Sequence, residues 1–102
     1  MVVKVIAIVQ DFVAGLDRAT KSKVLEDIEL LKYFGKNLGF PHSRKINKSV
    51  YELRTTGKLQ VRLFYGFILD ECWVVHGFLK KTNKIPLKEI KTAESRLQRL
   101  AL

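Results

Sequence analysis

Residues 51–79 read Tyr51-Glu52-Leu53-Arg54-Thr55-Thr56-Gly57-Lys58-Leu59-Gln60-Val61-Arg62-Leu63-Phe64-Tyr65-Gly66-Phe67-Ile68-Leu69-Asp70-Glu71-Cys72-Trp73-Val74-Val75-His76-Gly77-Phe78-Leu79. Tyr51–Arg54 and Leu59–Phe67 are rich in β-branched and aromatic residues and flank Thr56-Gly57-Lys58, a pattern that predicts an antiparallel hairpin. With those three residues as the loop, position i pairs with 114 − i. Pairing then preserves parity. Tyr51, Leu53, Val61, Leu63 and Tyr65 share one face, while Glu52, Arg54, Gln60 and Arg62 share the other, with Glu52 opposite Arg62. A two-residue loop would mix the sets, because a one-residue slip turns every side chain over. Phe64 is the one apolar exception on the polar face. Asp70-Glu71 predicts a second tight turn, and Cys72–Leu79 a third, apolar strand inside the sheet.

Downstream of this meander, Pro86 suits the first turn of a final helix. Ile90, Ala93, Leu97 and Leu100 recur at helical spacing and predict a core-facing stripe. Upstream, the basic segment Gly35–Lys48 reads as a loop, long enough to be functional. Before it, Val24, Ile28 and Leu31 mark an amphipathic helix of about 15 residues with Asp17 as N-cap and Gly35 as C-terminal stop. Asp11–Leu16 is expected to form a short helix ahead of it, making a helical hairpin. The β-branched run at residues 2–9 is expected to be a buried strand. The expected fold is one α+β domain over residues 1–102: N-terminal strand, helical hairpin, three-stranded antiparallel meander and C-terminal helix. Helices are expected on one sheet face, with Arg54 and Arg62 on a partly exposed opposite face.

Composition narrows the function classes. With 47% hydrophobic and 28% charged residues, wholesale disorder is excluded. A single cysteine, Cys72, leaves no internal disulfide and no zinc cluster. Its mid-strand position predicts a buried, inert thiol. No apolar run approaches the length of a membrane helix, and the N-terminal stretch lacks a signal-peptide pattern; a soluble cytoplasmic protein is expected, with no membrane partner. The net charge is +9, distributed as 0 over residues 1–35, +6 over 36–69 and +3 over 70–102. A field of that sign attracts phosphate backbones or acidic partners.

No phosphate-binding glycine loop, nucleotide fingerprint, metal-ligand spacing or nucleophile elbow occurs. Cations on a strand face remain. Arg54 and Arg62 lie close in the expected register, and Lys80 and Lys81 end the neighbouring strand. Metal-independent RNA cleavage needs a base for the 2′-hydroxyl proton, cations on the phosphorane and an acid for the leaving oxygen. Arginine forks fit phosphate, a lysine among other cations, such as Lys80, could serve as base or acid, and an aromatic such as Tyr65 or Phe64 could stack a base. Structural readings stand beside these. Arg62 could simply pair with Glu52, the two lysines could only solvate a strand end, and His76 fits a hydrogen-bonded sheet histidine. His42, in a basic loop, could contact phosphate or could equally do nothing.

The ordered motifs Tyr51-Glu52-Leu53-Arg54, Val61-Arg62-Leu63-Phe64-Tyr65, Val75-His76-Gly77-Phe78-Leu79-Lys80-Lys81-Thr82 and Pro86 through Glu89-Ile90 to Ala93 resemble the HigB-like host-inhibition toxins of the RelE/ParE superfamily. The match covers residues 51–93, and Leu38-Gly39-x-Pro41 and the helical hairpin fit as well. Two positions depart from the pattern. Ile85 stands where a threonine usually precedes the proline, and Ser49-Val50-Tyr51 replaces a Gly-Leu-Trp segment.

The resemblance implies a RelE-like fold and the toxin of a type II toxin–antitoxin pair. Such toxins cleave mRNA on the 70S ribosome without metal or other cofactor and leave a 2′,3′-cyclic phosphate. They are restrained by a cognate antitoxin, often a helix-turn-helix protein. The family's catalytic cations would fall on Arg54, Arg62, Lys80 and Lys81, with Lys45, Lys48, Lys58 and Tyr65 as RNA contacts. Two other readings stay open: a non-enzymatic inhibitor of DNA gyrase on the same fold, and an inactive basic RNA-binding module.

Overall fold

The computed structural model describes residues 1–102. Strand β1 (Val3–Val5) leads into helices α1 (Ala7–Ala14) and α2 (Arg18–Phe34). Strands β2 (Ser43–Lys45), β3 (Tyr51–Thr55), β4 (Val61–Ile68) and β5 (Glu71–Leu79) follow, then helix α3 (Leu87–Ala101). The five strands order as β1-β5-β4-β3-β2. The meander β3–β4–β5 and the β2–β3 pair are antiparallel, while β1 runs parallel to β5, with Val3 beside Cys72. The α+β class and the order of elements agree with the expectation.

Local chemistry sets the helix boundaries. The Asp17 carboxylate accepts the Thr20 N–H and caps α2. Gly35 ends that helix at φ +56°, where a side chain would be strained, and its N–H returns to the Leu31 carbonyl. The opening strand is shorter than expected. It stops at Val5, and α1 already starts at Ala7. Val9 and Val13, four residues apart, bury one stripe of that helix while Ile8 stays exposed. A short β-branched run satisfies strand and helix periods alike, and packing decides between them.

Hairpin parity is as read, but the register is not. Glu52 pairs with Phe64 and Arg54 with Arg62, so the connection spans Thr56–Gln60. Half-buried Leu59 packs on the core, and the Gln60 carbonyl accepts the Lys80 N–H, which holds both residues in the turn. The second turn lies one residue earlier than expected, at Leu69-Asp70, with Leu69 at φ +56° and Glu71 already in β5. The basic loop also contains structure, since β2 lies in it as the edge strand.

Helices cover both faces of the sheet, not one. On the first face, Val9, Val13, Val24, Ile28 and Leu31 of α1 and α2 bury Leu53, Leu63, Tyr65 and Val74. On the second, Ala93 and Leu97 of α3 bury Val50, Phe64, Val75 and Phe78. Phe64, the apolar exception on the polar face, therefore marks where α3 lands. A bulge beside Phe64/Tyr65 doubles up β5 against β4, and Val74 and Val75 supply one core each.

Candidate functional site

Helix α3 crosses β4 and β5. On the same face, β2 and β3 present charge instead of apolar side chains. Glu52 is fully buried and gathers three arginines, one from each of β2, β3 and β4. Arg44 Nε lies 3.4 Å and Arg54 Nε 3.5 Å from Glu52 Oε1, and Arg62 Nε lies 3.7 Å from Oε2. The register explains the grouping, because Arg44 pairs with Glu52 and Arg54 with Arg62 on one face.

The three arginines differ in what they can do. Arg62 is buried, and it donates to the backbone carbonyls of Val61 (2.9 Å) and Thr55 (3.4 Å). Burial pulls its pKa below the ordinary guanidinium value, Glu52 opposes that shift, and Arg54 and Arg44 add to it. Arg44 is half exposed and Arg54 about one-fifth exposed. Both reach Glu52 through Nε, and their terminal nitrogens have no partner within the chain. Phosphate oxygens are the natural acceptors for such forks. The Arg54 guanidinium also sits 5.0 Å from the ring centroid of Phe40, itself 73% exposed.

Beside Arg54 lies a polar groove of about 490 Å³, lined by Lys23, Glu26, Asp27, His42, Arg54 and Thr55. Asp27 accepts the Thr55 hydroxyl at 2.6 Å, and its other oxygen stands 3.9 Å from His42 Nδ1. Burial raises the Asp27 pKa against the lowering effects of the Thr55 hydrogen bond and of His42. No three His, Cys, Asp or Glu side chains gather into a metal-holding group.

The other residues expected at the site scatter. Lys80 is half-buried, its N–H bonded to the Gln60 carbonyl two residues from Arg62. Lys81 is exposed at the same strand end. Lys48 is exposed in the β2–β3 connection, which Asn47 ties to Glu94 of α3. Lys45 covers the Tyr51 ring on the opposite sheet face, and Lys58 pairs with Asp17 at the start of α2. Tyr65 is corrected outright. It lies in the first core, hydrogen-bonded to Ser43 and stacked on Tyr51, so it offers no ring face to a base. Burial pushes its phenol up to about 12. Cys72 is buried as expected, its thiol pushed up to about 12 by burial.

His76 is a sheet histidine joined to Glu89 (3.0 Å) and Arg96 (3.3 Å) of α3. Sequence reasoning passed over Arg44, Phe40 and Asp27. Arg44 had a readable signal, since it lies beside Glu52 once β2 is recognised. The approach of Asp27 to His42 has none, because it joins a helix to a distant loop.

A small basic α+β domain with an arginine cluster on one sheet face is thus defined by fold and site. Residues 11–98 match the family model of the phage-derived Gp49-like proteins (DUF891), and the chain belongs to that family. The family is associated with toxin–antitoxin toxins of the RelE/HigB type. No curated protein matches the chain.

Proposed function

We propose that the chain is the toxin of a type II toxin–antitoxin pair and acts as a ribosome-dependent, metal-independent mRNA endonuclease. The observation that carries this reading is the trio Arg44, Arg54 and Arg62 around buried Glu52, two of them with unspent donors. Arg54 and Arg44 grip the scissile phosphate. Arg62, expected from sequence to touch that phosphate, instead works from beneath: with Glu52 it fixes the two outer guanidinium groups and adds positive potential. Lys80 and Lys81 supply further charge from the end of β5, and Lys48 follows the RNA backbone. Phe40, exposed beside Arg54, takes the base-stacking role that Tyr65 cannot fill. Fixed cations aimed at a pentacovalent phosphorane lower the barrier without reorganising at the moment of reaction. The product is a 2′,3′-cyclic phosphate, and a cognate helix-turn-helix antitoxin restrains the activity.

Induced expression in a bacterial host with 5′-end mapping of transcripts tests this, beside an Arg54→Ala control. Cleavage confined to translated regions and lost in the control is the expected result. Growth arrest with intact transcripts overturns it in favour of a protein target, which gyrase supercoiling assays would identify. Harmless expression would leave a binding module.

A further inference from the structure

Arginine cannot accept the proton that RNA cleavage must remove, because guanidinium stays charged at any working pH. An acceptor is therefore needed within reach of Arg54, and Lys80 does not line the groove beside it. The chain has two histidines. His76 is occupied, since Glu89 holds Nε2 and Arg96 holds Nδ1, and its side chain is only 15% exposed. His42 stands in a different setting. Its backbone carbonyl accepts the Arg54 N–H at 2.8 Å, which locks the two residues side by side. Its ring is half exposed in the groove that Arg54 also lines. Nδ1 faces the Asp27 carboxylate at 3.9 Å, and Nε2 has no partner within the chain.

We propose that His42 is the general base of this site and that Asp27 is its positioning residue. This deepens the endonuclease reading above and rests on it. A carboxylate beside Nδ1 favours the tautomer with its proton there, leaving the Nε2 lone pair for substrate. Asp27 is itself held by the Thr55 hydroxyl, so the ring's support is anchored on α2 and β3 together. The charged groups that line the groove with His42 are Lys23, Glu26 and Asp27 of α2 and Arg54 of β3.

In the step so assigned, Nε2 takes the 2′-hydroxyl proton and the 2′ oxygen bonds to phosphorus. The bond from phosphorus to the 5′ oxygen breaks, and that oxygen takes a proton from solvent water in the open groove. The protonated ring returns its proton to the hydroxide left behind. The net change is one proton moved from the 2′ to the 5′ oxygen, with no redox partner.

Single-turnover cleavage of a translated mRNA by the full chain on purified ribosomes is the test. His42→Ala is expected to slow cleavage at least about 100-fold, the usual scale for a positioned base, while its unfolding midpoint stays near wild type. Added imidazole should restore part of the rate in His42→Ala and none in Arg54→Ala. Asp27→Asn should lower the maximal rate about tenfold at unchanged half-saturation, with Asp27→Glu recovering part of it. Wild-type cleavage matched by His42→Ala, or a His42→Ala rate that imidazole leaves unchanged, overturns the assignment and leaves the endonuclease reading standing. A wild-type chain that cuts nothing on ribosomes overturns both.

Discussion

Glu52 and Leu53 are neighbours on β3, both almost completely buried, and they point to opposite faces of the sheet. Leu53 enters an apolar core built with α1 and α2. Glu52 enters the half of the other face that α3 leaves to charge. The first face is held by apolar burial, which adds up with each side chain. The second holds a carboxylate among three guanidinium groups at 3.4–3.7 Å, and neither Glu52 oxygen has a hydrogen bond of good geometry. Desolvating such groups costs what their attraction returns, so a buried ion cluster is poor evidence of stabilisation. Its presence in place of an apolar pair is better explained by what it holds outward: two arginine forks with donors to spare.

The sharpest way to break this comparison is to remove one centre from each face. Glu52→Ala strands Arg62 inside the protein without its counterion and should cost about 3–5 kcal/mol in denaturant unfolding. Leu53→Ala leaves a cavity in the first core and should cost about 2–5 kcal/mol. The discriminating outcome is a double replacement of Glu52 and Arg62 by Leu and Met. It should recover most of the Glu52→Ala loss while abolishing growth inhibition. Recovery with inhibition intact would end the idea that the cluster is kept for function.

Tyr65→Phe comes next. The Ser43 hydroxyl loses its buried partner, for an expected loss of about 1–2 kcal/mol. Growth inhibition should be unchanged, because this ring lies on the core face. A loss of inhibition without a loss of stability would return Tyr65 to the RNA surface.

The smallest effect concerns Asp27. Its folded pKa is raised above 3.8 by burial. The stability this carboxyl contributes is therefore complete below that value and is lost as pH rises through the folded pKa. Asn at this position keeps an acceptor for Thr55 and sheds the pH-dependent loss. The melting temperature of Asp27→Asn should gain on wild type as pH rises above 3.8. A gain in stability paired with slower cleavage would mark Asp27 as a residue kept for function at a structural cost.

The parts of this molecule that sequence reveals are those decided locally. The stripe Val24, Ile28 and Leu31, the Asp17 cap and the Gly35 stop define α2 without reference to anything else. Parity along β3 and β4 sorts Leu53 and Leu63 from Glu52 and Arg62, even with the register off by two. What stays hidden is decided across space. Leu59 is drawn into the core and lengthens the turn, which puts Arg54 opposite Arg62. Ser43–Lys45 is too short to show alternation, so Arg44 goes unnoticed. Tyr65 and Phe64 look equally suited to stack a base until the helices cover one face each. Asp27 meets His42 only because α2 lies against β3.

The parallel pairing of β1 with β5 has a consequence in time. Val3 finds its neighbour in Cys72, 69 positions later in the chain. β1 thus waits for β5, the last of the five strands in chain order, before it can add to the sheet. A contact that spans so much chain closes slowly, so the sheet is expected to grow from its hairpins outward, with β1 the last strand to join.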